Sequence, residues 1–194
     1  MAGLPPPRLP ITKDTSLFLR VAEHGARLLY LHTYGERFRG SRDDGTVPQG
    51  DARCTVPVPP DRYPEDSEYD PKARTLRVGE GEFAPVAPEV WDYSVSGLQV
   101  VKSWLDYRRL DRAGRRSSPL DDIRPERWDF TEELLELLWV LEHTIALQPE
   151  GAALLEEVCA SDVFSDIELP RPSEAERKPP GATRGSTVQS ELDL

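Results

Sequence analysis

The chain has 194 residues, with 38% hydrophobic side chains, 19 prolines, two cysteines and a formal net charge of -11. That length fits one domain with appended tails and a buried core, and the proline content implies that part of the chain stays out of that core. No apolar run approaches the ~20 residues that span a membrane, the N-terminal MAGLPPPRLP lacks the order of a secretory signal, and Cys54 and Cys159 make neither a disulfide framework nor a CxxC metal pattern, which fits two reduced thiols in a cytoplasmic protein.

In chain order, residues 1–11 are proline-rich and are expected to be irregular. A first helix is predicted to start near residues 14–16, where Asp14, Thr15 and Ser16 suit an N-cap. Leu17, Phe18, Val21, Ala22, Leu28, Leu29 and His32 recur at helical spacing along it, and Tyr34-Gly35 suits its end. Residues 35–65 read as loop, with a short extended piece at 55–58 whose neighbouring prolines keep it off a central strand. The stretch EYDPKARTLRV reads as a hairpin: Asp70-Pro71 opens the turn and residues 75–78 alternate as a strand. A further loop with Pro85 and Pro88 follows, then a strand over 91–95.

From Leu98 the apolar period changes from two to 3.6, and Leu98, Val101, Trp104, Leu105 and Arg108 share one helical face. After the loop DRAGRRSSPLDD, a third helix is predicted over about 129–147 and a short fourth over about 150–160. Beyond Ser161 the composition turns to Pro, Ser, Glu, Arg and Gly, as in a disordered tail. The fold class expected is mixed α+β: small antiparallel strands packed with about four helices. The domain is placed at 12–160, between a proline-rich segment at 1–11 and a tail at 161–194.

Motifs for catalysis are missing from the sequence. It holds no glycine-rich phosphate loop, no GxGxxG and no HExxH. His24, His32 and His143 are scattered, and each suits a packed or exposed helix position better than a metal site. Asp121-Asp122 after Pro119 suits a helix cap better than an acid pair. No cofactor is implied.

The charge is unevenly divided. Residues 1–118 hold 18 Lys+Arg against 17 Asp+Glu, while residues 119–194 hold 6 against 18. Within 99–117, Lys102, Arg108, Arg109, Arg112, Arg115 and Arg116 face only Asp106 and Asp111, a local charge of +4. One reading of this stretch is a solvated helix end plus loop, whose arginines complement the helix dipole. The other is a nucleic-acid edge, because arginine matches phosphate and guanine bidentately and clustered cations displace counterions from a polyanion. Tyr93, Ser94, Ser96 and Gln99 stand at the strand-to-helix junction, where short polar side chains and a glutamine reach base edges, glutamine suiting adenine. Trp91 and Trp104 align with apolar neighbours and read as core anchors rather than stacking platforms.

VAPEVWDYSVSGLQVVKSWLDYR, followed by GRRSSPLDDI, resembles the C-terminal specificity region of type ISP restriction-modification enzymes and related large single-chain DNA methyltransferases. The residues that match are Pro88, Glu89, Val90, Trp91, Tyr93, Gly97, Val100, Lys102, Trp104, Leu105, Gly114, Arg115, Ser118, Asp121, Asp122 and Ile123. The hairpin YDPKARTLRV and the helix DTSLFLRVAEHGARLLYLH are also similar to that family's, so the resemblance covers roughly residues 12–148. It departs at Ser96 and Leu98, where the family usually has Gly and Tyr, and in lacking the methyltransferase, helicase and nuclease parts.

The resemblance implies a target-recognition module that binds double-stranded DNA while a separate methyltransferase acts on a flipped base. Arg108, Arg109, Arg112, Arg115 and Arg116, with Lys102, would hold phosphates, and Tyr93, Ser94 and Gln99 would meet base edges. Catalytic and metal residues are not expected. Such a module would be either a free-standing specificity piece or the remnant of a split gene. The alternatives are a protein-interaction module that docks a methyltransferase or helicase subunit through a leucine-rich face, or a degraded gene fragment with no present function.

Overall fold

The structure is a computed structural model that describes residues 10–34, 46–109, 127–165, 168–174 and 177. Helix α1 (Thr15–His32) begins where the Asp14 carboxylate accepts hydrogen bonds from the Ser16 and Leu17 amides, at 2.8 and 3.1 Å. Such a cap satisfies amides that have no partner inside the helix. The helix stops at Thr33, and Tyr34 follows in the left-handed region with φ 51°.

Four short strands come next: β1 (Arg53–Val56), β2 (Ser67–Asp70), β3 (Thr75–Val78) and β4 (Gly81–Ala84). They form one antiparallel sheet in the order β1-β4-β3-β2. The β2–β3 turn is tied by Asp70, whose carboxylate accepts from the Lys72 and Ala73 amides at 2.8 and 3.1 Å. Those backbone bonds, from Ala73 first and then Lys72, hold its pKa below the usual carboxylate range. β1 lies at the sheet edge, as its flanking prolines require.

The stretch read as loop before Pro85 contains β4, an inner strand of the sheet. In GEFA only Phe83 is a large apolar residue, so alternation was too weak to register. The turn into it starts at Gly79 with φ +55°, the pattern of a type II′ hairpin. Gly81 lets the chain cross closely, because a Cβ there would meet the Val58 backbone nitrogen at 2.9 Å.

The strand expected over 91–95 is instead a short helix, α2 (Pro88–Trp91), followed by β5 (Ser94–Val95). Pro88 in the first helical turn supplies the φ that a helix start needs, and Glu89 beside it suits the positive end of the helix dipole. β5 pairs with β6 (Leu98–Gln99), which runs directly into α3 (Val100–Arg108).

The third and fourth helices of the sequence reading are one helix, α4 (Thr131–Ala160), which runs through Pro149. A proline inside a helix costs ~3 kcal/mol, and here packing on both sides of it offsets that cost. Antiparallel to it, α1 buries Leu31 with Val140 and Leu147 on one side of Pro149. On the other side it buries Leu17 with Leu154 and Val158. Between these contacts Arg27 pairs with Glu150 at 2.8 Å, and Arg20 pairs with Glu157. His24 is buried against Gly151, where a Cβ would lie 2.8 Å from its Nε2.

The main core sits between the sheet, α2, α3 and the first half of α4. Leu76, Val78 and Phe83 of the sheet meet Val86, Val90, Val101, Leu105, Leu134 and Leu138, all buried. Three side chains of α4 also tether residues 48–52. Trp139 Nε1 donates to the Ala52 carbonyl at 2.8 Å, and His143 Nε2 lies 3.0 Å from the Pro48 carbonyl. The Glu142 carboxylate accepts from the Asp51 and Ala52 amides at 2.6 and 3.1 Å, and burial pushes its pKa up despite those bonds.

Part of the segment assigned to the tail is held against the N-terminal end. Thr12 bridges Val163, Lys13 N donates to the Asp162 carbonyl at 2.8 Å, and Phe164 N donates to the Ile11 carbonyl at 2.9 Å. Lys13 Nζ reaches Glu168 at 2.8 Å. Residues 1–9, 35–45, 110–126 and 178–194 lie outside the described residues, so the expectations placed on them do too.

Leu138→Ala should lower the unfolding free energy by about 2–5 kcal/mol with an unchanged denaturant slope, measured by urea titration. A smaller loss would place Leu138 outside the core. The clasp at Lys13 should respond to acid. Hydrogen bonding to Lys13, then to Ser165, holds the Glu168 carboxyl at about 2, below its ordinary 4.5. A depressed acid stabilises the folded form above its unfolded pKa and loses that contribution as pH falls through the folded value. Amide protection factors at Lys13 and Phe164 should therefore fall between pH ~4.5 and ~2. Constant protection across that window would show that Glu168 does not hold the clasp.

Candidate nucleic-acid interface

The residues singled out in sequence sit on a rigid elbow made of α2, the β5–β6 hairpin and α3. Trp91 ends α2 and stacks on Tyr69, with ring centroids 5.0 Å apart and planes at 19°. Tyr69 in turn donates its hydroxyl to the Val86 carbonyl at 2.9 Å, which fixes the link into α2. Val90, Val101 and Leu105 are buried on either side of the hairpin, so both of its ends are anchored in the core. Tyr93 is half-buried against the same core, and its carbonyl accepts from the Val100 amide at 3.0 Å.

The hairpin itself stands in solvent. Ser94 pairs with Gln99 and Val95 with Leu98, leaving Ser96-Gly97 as a two-residue turn. Both turn residues have positive φ, 53° and 83°, as a type I′ turn demands. Ser96 occupies a left-handed position that glycine takes with less strain. Residues 94–98 are all exposed. Lys102 follows one turn into α3 on its exposed side and makes no ion pair among the described residues.

The arginines at the far end of α3 are engaged differently. The Arg108 guanidinium lies 3.9 Å from the Trp104 ring centroid and 5.3 Å from that of Phe130. Its Nη1 donates to the Trp104 carbonyl at 3.3 Å, and its Nη2 is 3.7 Å from the Glu133 carboxylate. Edge-on contacts of Phe130 with Trp104 and with Trp128 complete this aromatic group. Arg109 Nε donates to Asp106 at 2.9 Å, and its Nη1 to the Glu65 carbonyl at 3.3 Å. Arg112, Arg115 and Arg116 lie outside the described residues.

The predicted site thus divides along α3. Ser94, Gln99 and Lys102 cluster at its start with the exposed hairpin, while Arg108 and Arg109 brace its end, about 13 Å away at 1.5 Å per residue. The sequence carries a signal for the second group: Trp104 and Arg108, on one helical face, are four apart, the spacing at which helical side chains meet. A cleft of about 850 Å³ opens beside them, lined by His32, Thr33, Tyr34, Trp104, Arg108, Glu133 and Glu136.

A family model, the type ISP C-terminal specificity domain, matches residues 4–138. The chain belongs to the type ISP C-terminal specificity-domain family. It is accordingly a target-recognition module of the restriction-modification kind. Neither a curated protein nor a solved structure matches it. The match spans the elbow and the first turns of α4, whereas the rest of α4 lies beyond it. Among the described residues no helix is long and apolar enough to cross a membrane, and no three His, Cys, Asp or Glu side chains form a metal-binding group.

Within this specificity domain the leucines at 134, 137, 138, 141, 147 and 154 are buried against the sheet, α3 or α1. The leucine-rich face considered for partner docking is therefore largely occupied by the domain itself. Arg108→Ala should cost about 1–3 kcal/mol of stability, because it removes the stem and cation packed on two rings. The salt dependence of any DNA binding should stay unchanged. An altered salt slope with native stability would instead assign Arg108 to a phosphate.

Proposed function

We propose that the chain is the sequence-reading module of a DNA methyltransferase system, binding double-stranded DNA while a separate domain or chain supplies the catalysis. The observation that carries this is the pairing of the specificity-domain match with an exposed hairpin–helix elbow that presents Ser94, Gln99 and Lys102 on one end. Ser94 and Gln99 supply donors and acceptors for base edges, and neither side chain makes a hydrogen bond among the described residues. Lys102 supplies a cation for a phosphate beside them. Arg112, Arg115 and Arg116 extend the cationic stretch, while Arg108 and Arg109 hold the end of α3 in place. The carboxylates concentrated after residue 119 repel a polyanion and so favour binding through this elbow.

The reading is tested by fluorescence anisotropy of the full chain with labelled duplex from 50 to 200 mM salt. Affinity should fall steeply with salt, and Lys102→Ala should reduce the magnitude of the log–log slope by about 1. No binding at the lowest salt, with the separate methyltransferase chain also added, would remove the reading. Gln99→Ala should weaken binding to a target site, selected by the full chain from randomised duplexes, by about 1–3 kcal/mol and leave binding to random duplex unchanged.

A further inference from the structure

The most exposed apolar couple in the elbow has no role in the fold. Val95 and Leu98 are 55% and 60% exposed and stand directly opposite each other in the β5–β6 ladder. Directly paired residues project from the same face of a ribbon, and the next pair along, Ser94 with Gln99, projects from the other. The Ser96-Gly97 turn has no freedom to fold the couple inward, since it is a two-residue type I′ turn. A Cβ built at Gly97 would meet nothing within 4 Å, so the tip is clear of the rest of the protein.

We infer that this tip enters the major groove of duplex DNA and that Val95 and Leu98 read thymine by packing on its 5-methyl group. The inference rests on the DNA-recognition function proposed above and deepens it. Three observations favour this occupant. A two-stranded ribbon, with strands about 4.8 Å apart, fits a groove about 12 Å wide. Two side chains make a patch far smaller than the ~800 Å² per partner of a stable protein interface, yet they suffice to cover one or two methyl groups. Lys102 stands one turn into the adjoining helix, where a cation meets the phosphates that flank an inserted ribbon. Val95 and Leu98 thereby recognise the one apolar group that the groove displays.

The test is selection of the full chain on a pool of randomised duplexes, followed by binding to the enriched site with thymine replaced by deoxyuridine. The wild-type chain should enrich thymine at one or two positions. Removing each contacted methyl group should weaken it about three- to fivefold. V95S/L98S should lose the thymine preference, bind the deoxyuridine and thymine sites equally, and keep its salt slope. Enrichment of a site at which deoxyuridine binds as well as thymine overturns this inference alone. Failure to enrich any sequence overturns the DNA-recognition function and this inference with it. Should the double variant misfold, as circular dichroism would show, the thymine-to-deoxyuridine comparison on the wild-type chain still decides.

Discussion

The constraint on which the rest depends is the burial of Val101 and Leu105 of α3 in the core that also holds Val90 of α2, Leu134 and Leu138 of α4, and Leu76, Val78 and Phe83 of the sheet. The two α3 residues expose 0% and 1% of their surface, so α3 has essentially one way to sit. Burial of this kind contributes about 1.5–3 kcal/mol per aliphatic side chain and fixes orientation as well as stability. Since β6 passes into α3 without an intervening linker, the placement of α3 also places the hairpin. Trp91 on Tyr69 secures the other end of the elbow. The projecting element is therefore positioned by side chains that never reach its tip.

Electrostatics within the domain follow the same division. The arginines nearest the core are spent on the fold: Arg108 lies across two rings beside Glu133, and Arg109 spans Asp106 and the Glu65 carbonyl. The pairing of α1 with α4 likewise uses Arg20 and Arg27 against Glu157 and Glu150. A count of basic residues along the chain therefore overstates the charge that is available to a ligand. What matters is which cations make no ion pair or ring contact, and Lys102 is in that position among the described residues of the elbow.

Much of this was legible in the sequence. The helix at α1 followed from its cap and its apolar spacing, and the β2–β3 hairpin from Asp70-Pro71 and the alternation after it. The change of period at Leu98 marked α3 within two residues. What was not legible has physical reasons. GEFA holds one large apolar residue, so β4 is a strand because β1 and β3 pair with it on either side, not because of its own pattern. Pro149 argued for a break that α1 prevents by packing along both halves of α4. Nor does the sequence distinguish an arginine that lies on a ring from one that faces water, as Arg108 shows. The hairpin tip was read for its polar residues, while the exposure of Val95 and Leu98 depends on a turn geometry that Ser96 does not announce.

The seamless join between Gln99 and Val100 has an evolutionary corollary. Outside the Ser96-Gly97 turn, whose positive φ restricts it, the exposed side chains Ser94, Val95 and Leu98 contribute nothing to the interior, so mutations there are nearly neutral for folding and can drift. Those a few residues onward are locked by their neighbours. A lineage can thus exchange the exposed hairpin side chains in single steps that never pass through an unfolded ancestor.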